Sequence, residues 1–384
     1  MSRSTDPPAH FERQEGTSMR VSDTIMRLRA ARAAPASVSR DRLSDLADVR
    51  PNPGNLRARI YVPEGLAQRA PLVVVLHGCT QSAALYDEGS GWSRLAERHG
   101  FAVLFPEQQR SNNPNLCFNW FQPGDTRRGS GEAASIRAMV AQMVEDHGID
   151  PERVYVTGLS AGGAMASAML AAYPDLFAGG AIIAGIAYGC AGSVGEAFEC
   201  MAGGGRDSGV ALGENVRRAS DHRGPWPRVS VWHGDADRTV SSVNGDDIVK
   251  QWLDVHRLAA TPTAHDEVDG YPHRVWAGAD GRPLVEQYVI TGMGHGTPLD
   301  PGLDAGQSGQ AGPHMLDVAI SSTDRIAAFF GIAEAAAHPE AASRKIKPKP
   351  KTTVRAAEPL PAPQPVSEVQ NVIESALRAA GLMR

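Results

Sequence analysis

Residues 154–165 read VYVTGLSAGGAM. The residues leading into this stretch, 153–157, carry the β-branched and aromatic side chains of a central strand, and residues 161–173 carry alanines and methionines that favour helix. Between them stands a serine. A strand that turns directly into a helix leaves little room at the apex, so the positions two before and two after it must be small, and Gly158 and Gly162 hold those positions around Ser160. G-x-S-x-G in this setting is a nucleophile elbow, whose strained backbone lifts a hydroxyl above the carboxyl end of a strand. The flanking strand and helix separate it from a glycine-rich turn with a chance serine. Because a serine hydroxyl is a weak nucleophile at neutral pH, the reading requires a histidine base, a carboxylate to orient it, and oxyanion donors.

Outward from the elbow, strand patterns fall at residues 58–62, 72–76, 102–105, 154–157, 181–184, 229–232 and 285–291. Helical periodicity lies between most of them. In residues 132–146, Ile136, Met139, Val140, Met143 and Val144 recur at helical spacing, which sets one apolar stripe against a sheet. Residues 246–260 and 316–330 repeat the pattern. Alternation of strand and helix makes this an α/β chain with a doubly wound, mostly parallel sheet and helices on both faces, because parallel neighbours need crossover connections. Residues 273–290, HRVWAGADGRPLVEQYVI, read instead as a hairpin about an Ala-Asp-Gly turn.

The domain expected from these signals spans residues 51–332. Residues 1–50 are arginine-rich and poor in large apolar side chains, and are read as a loosely ordered extension with a short helical candidate at 21–33. Residues 333–366 form an alanine, lysine and proline-rich linker. Residues 367–384 close the chain as a short amphipathic helix, opened by Ser367 and Gln370 and expected to dock on the domain or on a partner.

At 384 residues with an apolar fraction of 42%, the chain can bury a substantial core. A net charge of −5 gives no reason to expect a nucleic acid partner. No apolar run reaches transmembrane length. The amino terminus lacks the apolar stretch of a signal peptide, so the expected location is cytoplasmic. Cys79, Cys117, Cys190 and Cys200 permit three full pairings. The short interval between Cys190 and Cys200 suits a local disulfide in an oxidising compartment, and reduced, partly buried thiols are the alternative. No CxxC or HxxxH spacing accompanies these cysteines, so no metal and no cofactor are expected.

Catalytic groups of such sheets gather at the carboxyl ends of strands. After residues 229–232 comes HGDADRTV, with Asp235 and Asp237 on one loop. Asp237 is the better orienting acid, because Asp235 follows Gly234 directly and can cap its own backbone. After residues 285–291 comes GMGHGTPL, where glycines flank His295 and provide no core packing. His233, at a strand end, is expected to pack or hydrogen-bond locally. For the oxyanion hole, the donors are the amide of Ala161 and that of Cys79, in the loop HGCTQS after residues 72–76, where Gly78 lets the backbone turn.

The order Ser160, Asp237, His295 is that of α/β-hydrolases. With PLVVVLHGCTQSA, CFNWFQPGDTRRGSGEAASI, RVYVTGLSAGGAMA, VWHGDADRTV and GMGHGTPL in sequence, residues 56–331 resemble the polyhydroxybutyrate depolymerase family of serine esterases, with its feruloyl and acetyl xylan esterase relatives. The resemblance implies the α/β-hydrolase fold and ester hydrolysis with Ser160 as nucleophile, His295 as base and Asp237 as acid. It also implies that CFNWF, through Trp120, borders the substrate cleft. Many members of the family are exported, which makes an extracellular location the alternative. The linker and terminal helix lie outside the resemblance and match no polymer-binding module, which favours a soluble or oligomeric ester over a solid polymer. Two other functions share these motifs: a serine peptidase with the same triad, and a catalytically silent binding module.

Overall fold

The computed structural model describes residues 41–204, 207–301 and 309–334. In chain order the first half holds β1 (Ser44–Asp45), β2 (Arg57–Tyr61), β3 (Ala70–Leu76), α1 (Ala83–Ser90), α2 (Trp92–His99) and β4 (Ala102–Glu107). Next come α3 (Pro123–Thr126), α4 (Gly131–His147), β5 (Ile149–Leu159), α5 (Ala161–Ala172) and β6 (Gly179–Ile183). The second half holds α6 (Val194–Met201), α7 (Gly209–Arg218), β7 (Arg228–Gly234), α8 (Val243–His256) and β8 (Ala264–Val268). It ends with β9 (Tyr271–Ala277), β10 (Pro283–Ile290), β11 (Thr297–Leu299), β12 (Met315–Asp317) and α9 (Ser322–Phe330).

One 10-stranded sheet runs in the order β1-β2-β4-β3-β5-β6-β7-β10-β9-β8. From β4 across to β10 every neighbouring pair is parallel. The two outer strands on each side pair antiparallel. This is the mostly parallel α/β-hydrolase sheet that the alternating pattern implies, and the expected hairpin is β9–β10.

Successive side chains of a strand point to opposite faces, and the central strands divide their apolar residues accordingly. Leu72, Val74 and Leu76 of β3, with Val154 and Val156 of β5, pack with Ile136 and Met139 of α4 and with Met165 and Trp252 of α5 and α8. Val73 and Val75, with Tyr155, pack with Trp92 and Leu95 of α2 and with Ile326 and Phe330 of α9. Each fully buried side chain of this kind contributes roughly 1.5–3 kcal/mol. The hydrophobic run of residues 72–76 is therefore a strand covered on both faces.

Two sequence boundaries move. Residues 41–50, assigned to a loosely ordered extension, carry β1, which adds to the sheet edge beside β2. Leu43 is buried there, and Leu43, Leu46 and Val49, spaced three apart among charges, carry no strand alternation that would mark it. The helix expected from residue 316 starts at Ser322, because residues 315–317 are taken by β12 in a small parallel pair with β11. The remainder of the amino-terminal extension, nearly all of the proline-rich linker and the terminal helix lie outside the described residues.

Candidate active site

In chain order the sheet grows from β3 outward to β4 and then returns to the other side of β3 with β5. The direction reverses between β3 and β5, and such a switch point opens a crevice beyond the carboxyl ends of the two strands. The residues leaving those ends are His77, Gly78 and Cys79 on one side and Ser160 on the other.

Ser160 has φ 57° and ψ −118°, a left-handed conformation disfavoured for a residue with a Cβ. It occupies the N-cap of α5 yet makes no side-chain capping bond, so its hydroxyl is not engaged where a serine N-cap ordinarily uses it. Glycine is required on both sides. A Cβ at Gly158 would lie 2.4 Å from the Gly162 carbonyl oxygen, and one at Gly162 would lie 2.2 Å from the Leu76 oxygen and 2.5 Å from the His77 oxygen. Backbone atoms cannot swing aside as a side chain can, so Gly162→Ala should force α5 away from β3. We expect a lower melting temperature, by an amount corresponding to about 1–3 kcal/mol, together with reduced ester turnover; a variant matching the parent in both would mean the elbow has slack.

Register aligns the next strand ends with the elbow. Leu159 pairs with Ile183, Ile183 with Trp232, and Ile290 of β10 with Gly234 of β7. Asp237 and His295 therefore leave the same edge of the sheet as Ser160, and the structure brings those two together: His295 Nδ1 is 2.7 Å from Asp237 Oδ2. The other carboxylate oxygen accepts the Thr239 and Val240 amides at 2.8 and 2.9 Å. Burial alone would raise the Asp237 carboxyl, but hydrogen bonds from His233 and His295 outweigh it and hold the group well below the usual carboxylate range. An ionised acid in this place keeps the His295 proton on Nδ1 and leaves Nε2 to act as a base.

Asp235 does not cap its own backbone as the sequence suggested. Its Oδ1 accepts the Gly292 amide at 2.6 Å, tying the loop after β7 to the loop after β10.

A cavity of about 230 Å³ opens at the switch point and is lined by Ser160, Ala161, Cys79 and Trp120 together. One wall is apolar, from Ile186, Val240 and the α6 residues Val194, Ala197, Phe198 and Met201. The rest of the lining is rich in amides, with Asn113, Asn115, Asn119 and Gln122 beside the Trp120 and Phe121 rings. Ala161 is the first residue of α5, where a backbone N–H has no intrahelical acceptor. In the loop carrying Cys79, the left-handed residue is Thr80 at φ 63° and not Gly78. The Gly78 and Thr80 amides are held by Gln81 Oε1 and the Asn115 carbonyl.

Both cysteine pairs are disulfides, Cys79–Cys117 and Cys190–Cys200. The first ties the loop after β3 to the segment bearing Trp120. The second ties the loop before α6 to the end of that helix, on the apolar wall.

Sequence reasoning missed the buried polar groups behind these walls. Glu132, at the start of α4, accepts the Asn119 amide and side chain, both at 2.9 Å, and the Gln108 side chain at 2.5 Å. Burial pushes its carboxyl up to about 8 in spite of these donors. The Gln108 amide donates to His77 Nε2 at 3.1 Å, which leaves His77 Nδ1–H to donate to the Gly78 carbonyl at 2.8 Å. Helical periodicity marks the apolar stripe of α4 but carries no sign that its first carboxylate points inward.

Residues 56–267 match the family model described as esterase PHB depolymerase. The chain is 50% identical over 315 residues to poly(3-hydroxyalkanoate) depolymerase C of Paucimonas lemoignei, covering 80% of this chain and 76% of that protein. It is 34% identical over 254 residues to the acetylxylan esterase of Coprinopsis cinerea, covering 64% and 67% of the two chains. Among solved structures, the acetyl xylan esterase from Aspergillus awamori superposes with a TM-score of 0.64 at 27% identity, over 76% of this chain and 99% of that one.

Proposed function

Since the chain belongs to the PHB depolymerase family of esterases and is a carboxylic ester hydrolase, we propose that Ser160 is its nucleophile, His295 its base and Asp237 the acid that orients the base. Ser160 Oγ attacks the ester carbonyl carbon while His295 Nε2 takes its proton. The tetrahedral oxyanion accepts hydrogen bonds from the Cys79 and Ala161 amides, each worth about 3 kcal/mol to the transition state. His295 then protonates the departing alkoxide, and the acyl group stays on Ser160 until water, deprotonated by the same histidine, releases it. Asp237 remains ionised throughout, opposite the imidazolium that forms.

The observation that carries this reading is that Ser160, Cys79 and Ala161 line one cavity, at the sheet edge where the His295–Asp237 pair also emerges. Its apolar wall suits short aliphatic side groups and its amide wall suits ester carbonyls, which supports polyhydroxyalkanoate-type oligomers or similar soluble esters as substrates. Trp120 borders that substrate. A panel of p-nitrophenyl esters of increasing chain length, hydroxybutyrate oligomers and methyl ferulate tests the assignment. We expect short acyl esters and hydroxybutyrate oligomers to be cleaved with the highest kcat/KM. A preference for methyl ferulate would overturn the substrate class, and peptide cleavage without ester cleavage would overturn the reaction.

Two disulfides persist where the compartment is oxidising, which supports an extracellular location over the cytoplasmic one. Among the described residues no helix is long and apolar enough to cross a membrane.

A further inference from the structure

We propose that His233 is a positioning residue for ester hydrolysis: its buried ring steadies both the Asp237 carboxylate that orients His295 and the Val240 peptide that walls the substrate cavity. This rests on Asp237 being the triad acid.

His233 is the next-to-last residue of β7 and is 2% exposed. Its Nε2 lies 3.0 Å from the Val240 carbonyl oxygen and 3.4 Å from Asp237 Oδ2. A carbonyl oxygen can only accept, so the hydrogen is on Nε2 and is donated to Val240, with the Asp237 carboxylate as a longer electrostatic contact beside it. That contact is with Oδ2, the same atom that His295 Nδ1 approaches at 2.7 Å.

Val240 is held at both ends of its residue. Its amide donates to Asp237 Oδ1 at 2.9 Å while its carbonyl accepts from His233. Losing the His233 donor would therefore free one side of the carboxylate and the cavity wall next to it in a single change.

The other ring nitrogen argues against a purely space-filling role. Nδ1 is buried with no hydrogen-bonding partner among the described residues. It faces Gly245 of α8, where an added Cβ would come within 3.2 Å of it. An aromatic ring without nitrogen would fill this place and leave no polar atom unsatisfied, since a buried unpaired acceptor opposes folding. What the histidine supplies in return is the donor at Nε2.

The test compares His233→Gln, whose terminal amide reaches the place of Nε2, with His233→Asn, whose amide stops short at the place of Nδ1. Both are neutral and polar. His233→Leu is a second variant without the donor, so failure of one to fold leaves the comparison standing. Each is made in the full chain, and kcat and KM on a short p-nitrophenyl ester are measured beside the melting temperature. We expect Gln to keep kcat within about threefold of the parent, and Asn and Leu to lose tenfold or more, with KM changing less than kcat. Equal kcat in Gln and the donor-lacking variants, at either level, would overturn the inference, because a structural role follows the melting temperature and not the donor. Asp237→Ala is measured in parallel. Parental turnover in that variant would reject the triad assignment itself, whereas its inactivity together with equal Gln and Asn rates would reject only the role of His233.

Discussion

Ser160→Ala should abolish ester hydrolysis, with kcat falling by a factor on the order of 10⁴ or more, while the protein melts at nearly the parental temperature. The two halves of this expectation have separate causes. Activity goes because, in the proposed mechanism, the removed atom is the one that forms the acyl bond, and His295 and the oxyanion amides have nothing to act upon without it. Stability stays because the Ser160 hydroxyl caps nothing in α5, and because alanine and serine meet the same steric cost at φ 57°. An organophosphonate should label the parent once, on the peptide carrying Ser160, as read by mass spectrometry. Labelling elsewhere, with activity retained in the variant, would contradict the assignment.

The central layer of this fold was legible because its signals are local. A strand covered on both faces writes itself as a short apolar run, as in residues 72–76, and a helix beside it as a 3.6-residue stripe, as in residues 132–146. The elbow was legible for a stronger reason: Gly158 and Gly162 touch backbone, so steric exclusion writes directly into residue identity. Edge elements were not. β8 reads AHDEV and is exposed along most of its length, so neither face imposes alternation, and its charges suit a strand that must resist pairing with other chains. The same limit applies to the polar groups behind the site. His77, Glu132 and His233 matter through partners 31, 24 and 7 residues away, and periodicity says nothing about which hydrogen bonds a side chain will make. The cysteine pairs illustrate the boundary between the two cases. A ten-residue interval made Cys190–Cys200 conceivable from spacing, whereas Cys79 and Cys117 meet only because β3 and the loop after β4 end at the same edge of the sheet.

Asp237→Asn should lower kcat by a factor on the order of 10⁴, and Asp235→Asn should leave it within a few-fold of the parent. The two aspartates differ in what an amide can replace. At Asp235 the carboxylate is needed as an acceptor for the Gly292 amide, and the oxygen of asparagine still accepts. The cost there is the difference between a charged and a neutral acceptor, about 0.5–1.5 kcal/mol of stability. At Asp237 both oxygens face donors: the Thr239 and Val240 amides on one, and His295 with His233 on the other. Asparagine has only one acceptor to offer. If its NH₂ turns toward the Thr239 and Val240 amides, donors oppose donors and the loop must shift. If it turns toward His295, the imidazole must present a lone pair at Nδ1, its hydrogen moves to Nε2, and the base can no longer accept the serine proton. The first orientation displaces the loop that holds the pair and the second removes the tautomer that the reaction requires, so the loss should appear in kcat with KM little changed. Steady-state kinetics on a short p-nitrophenyl ester, with melting temperatures recorded for both variants, separate the roles. A larger kcat loss in folded Asp235→Asn than in folded Asp237→Asn would show that the orienting acid is Asp235.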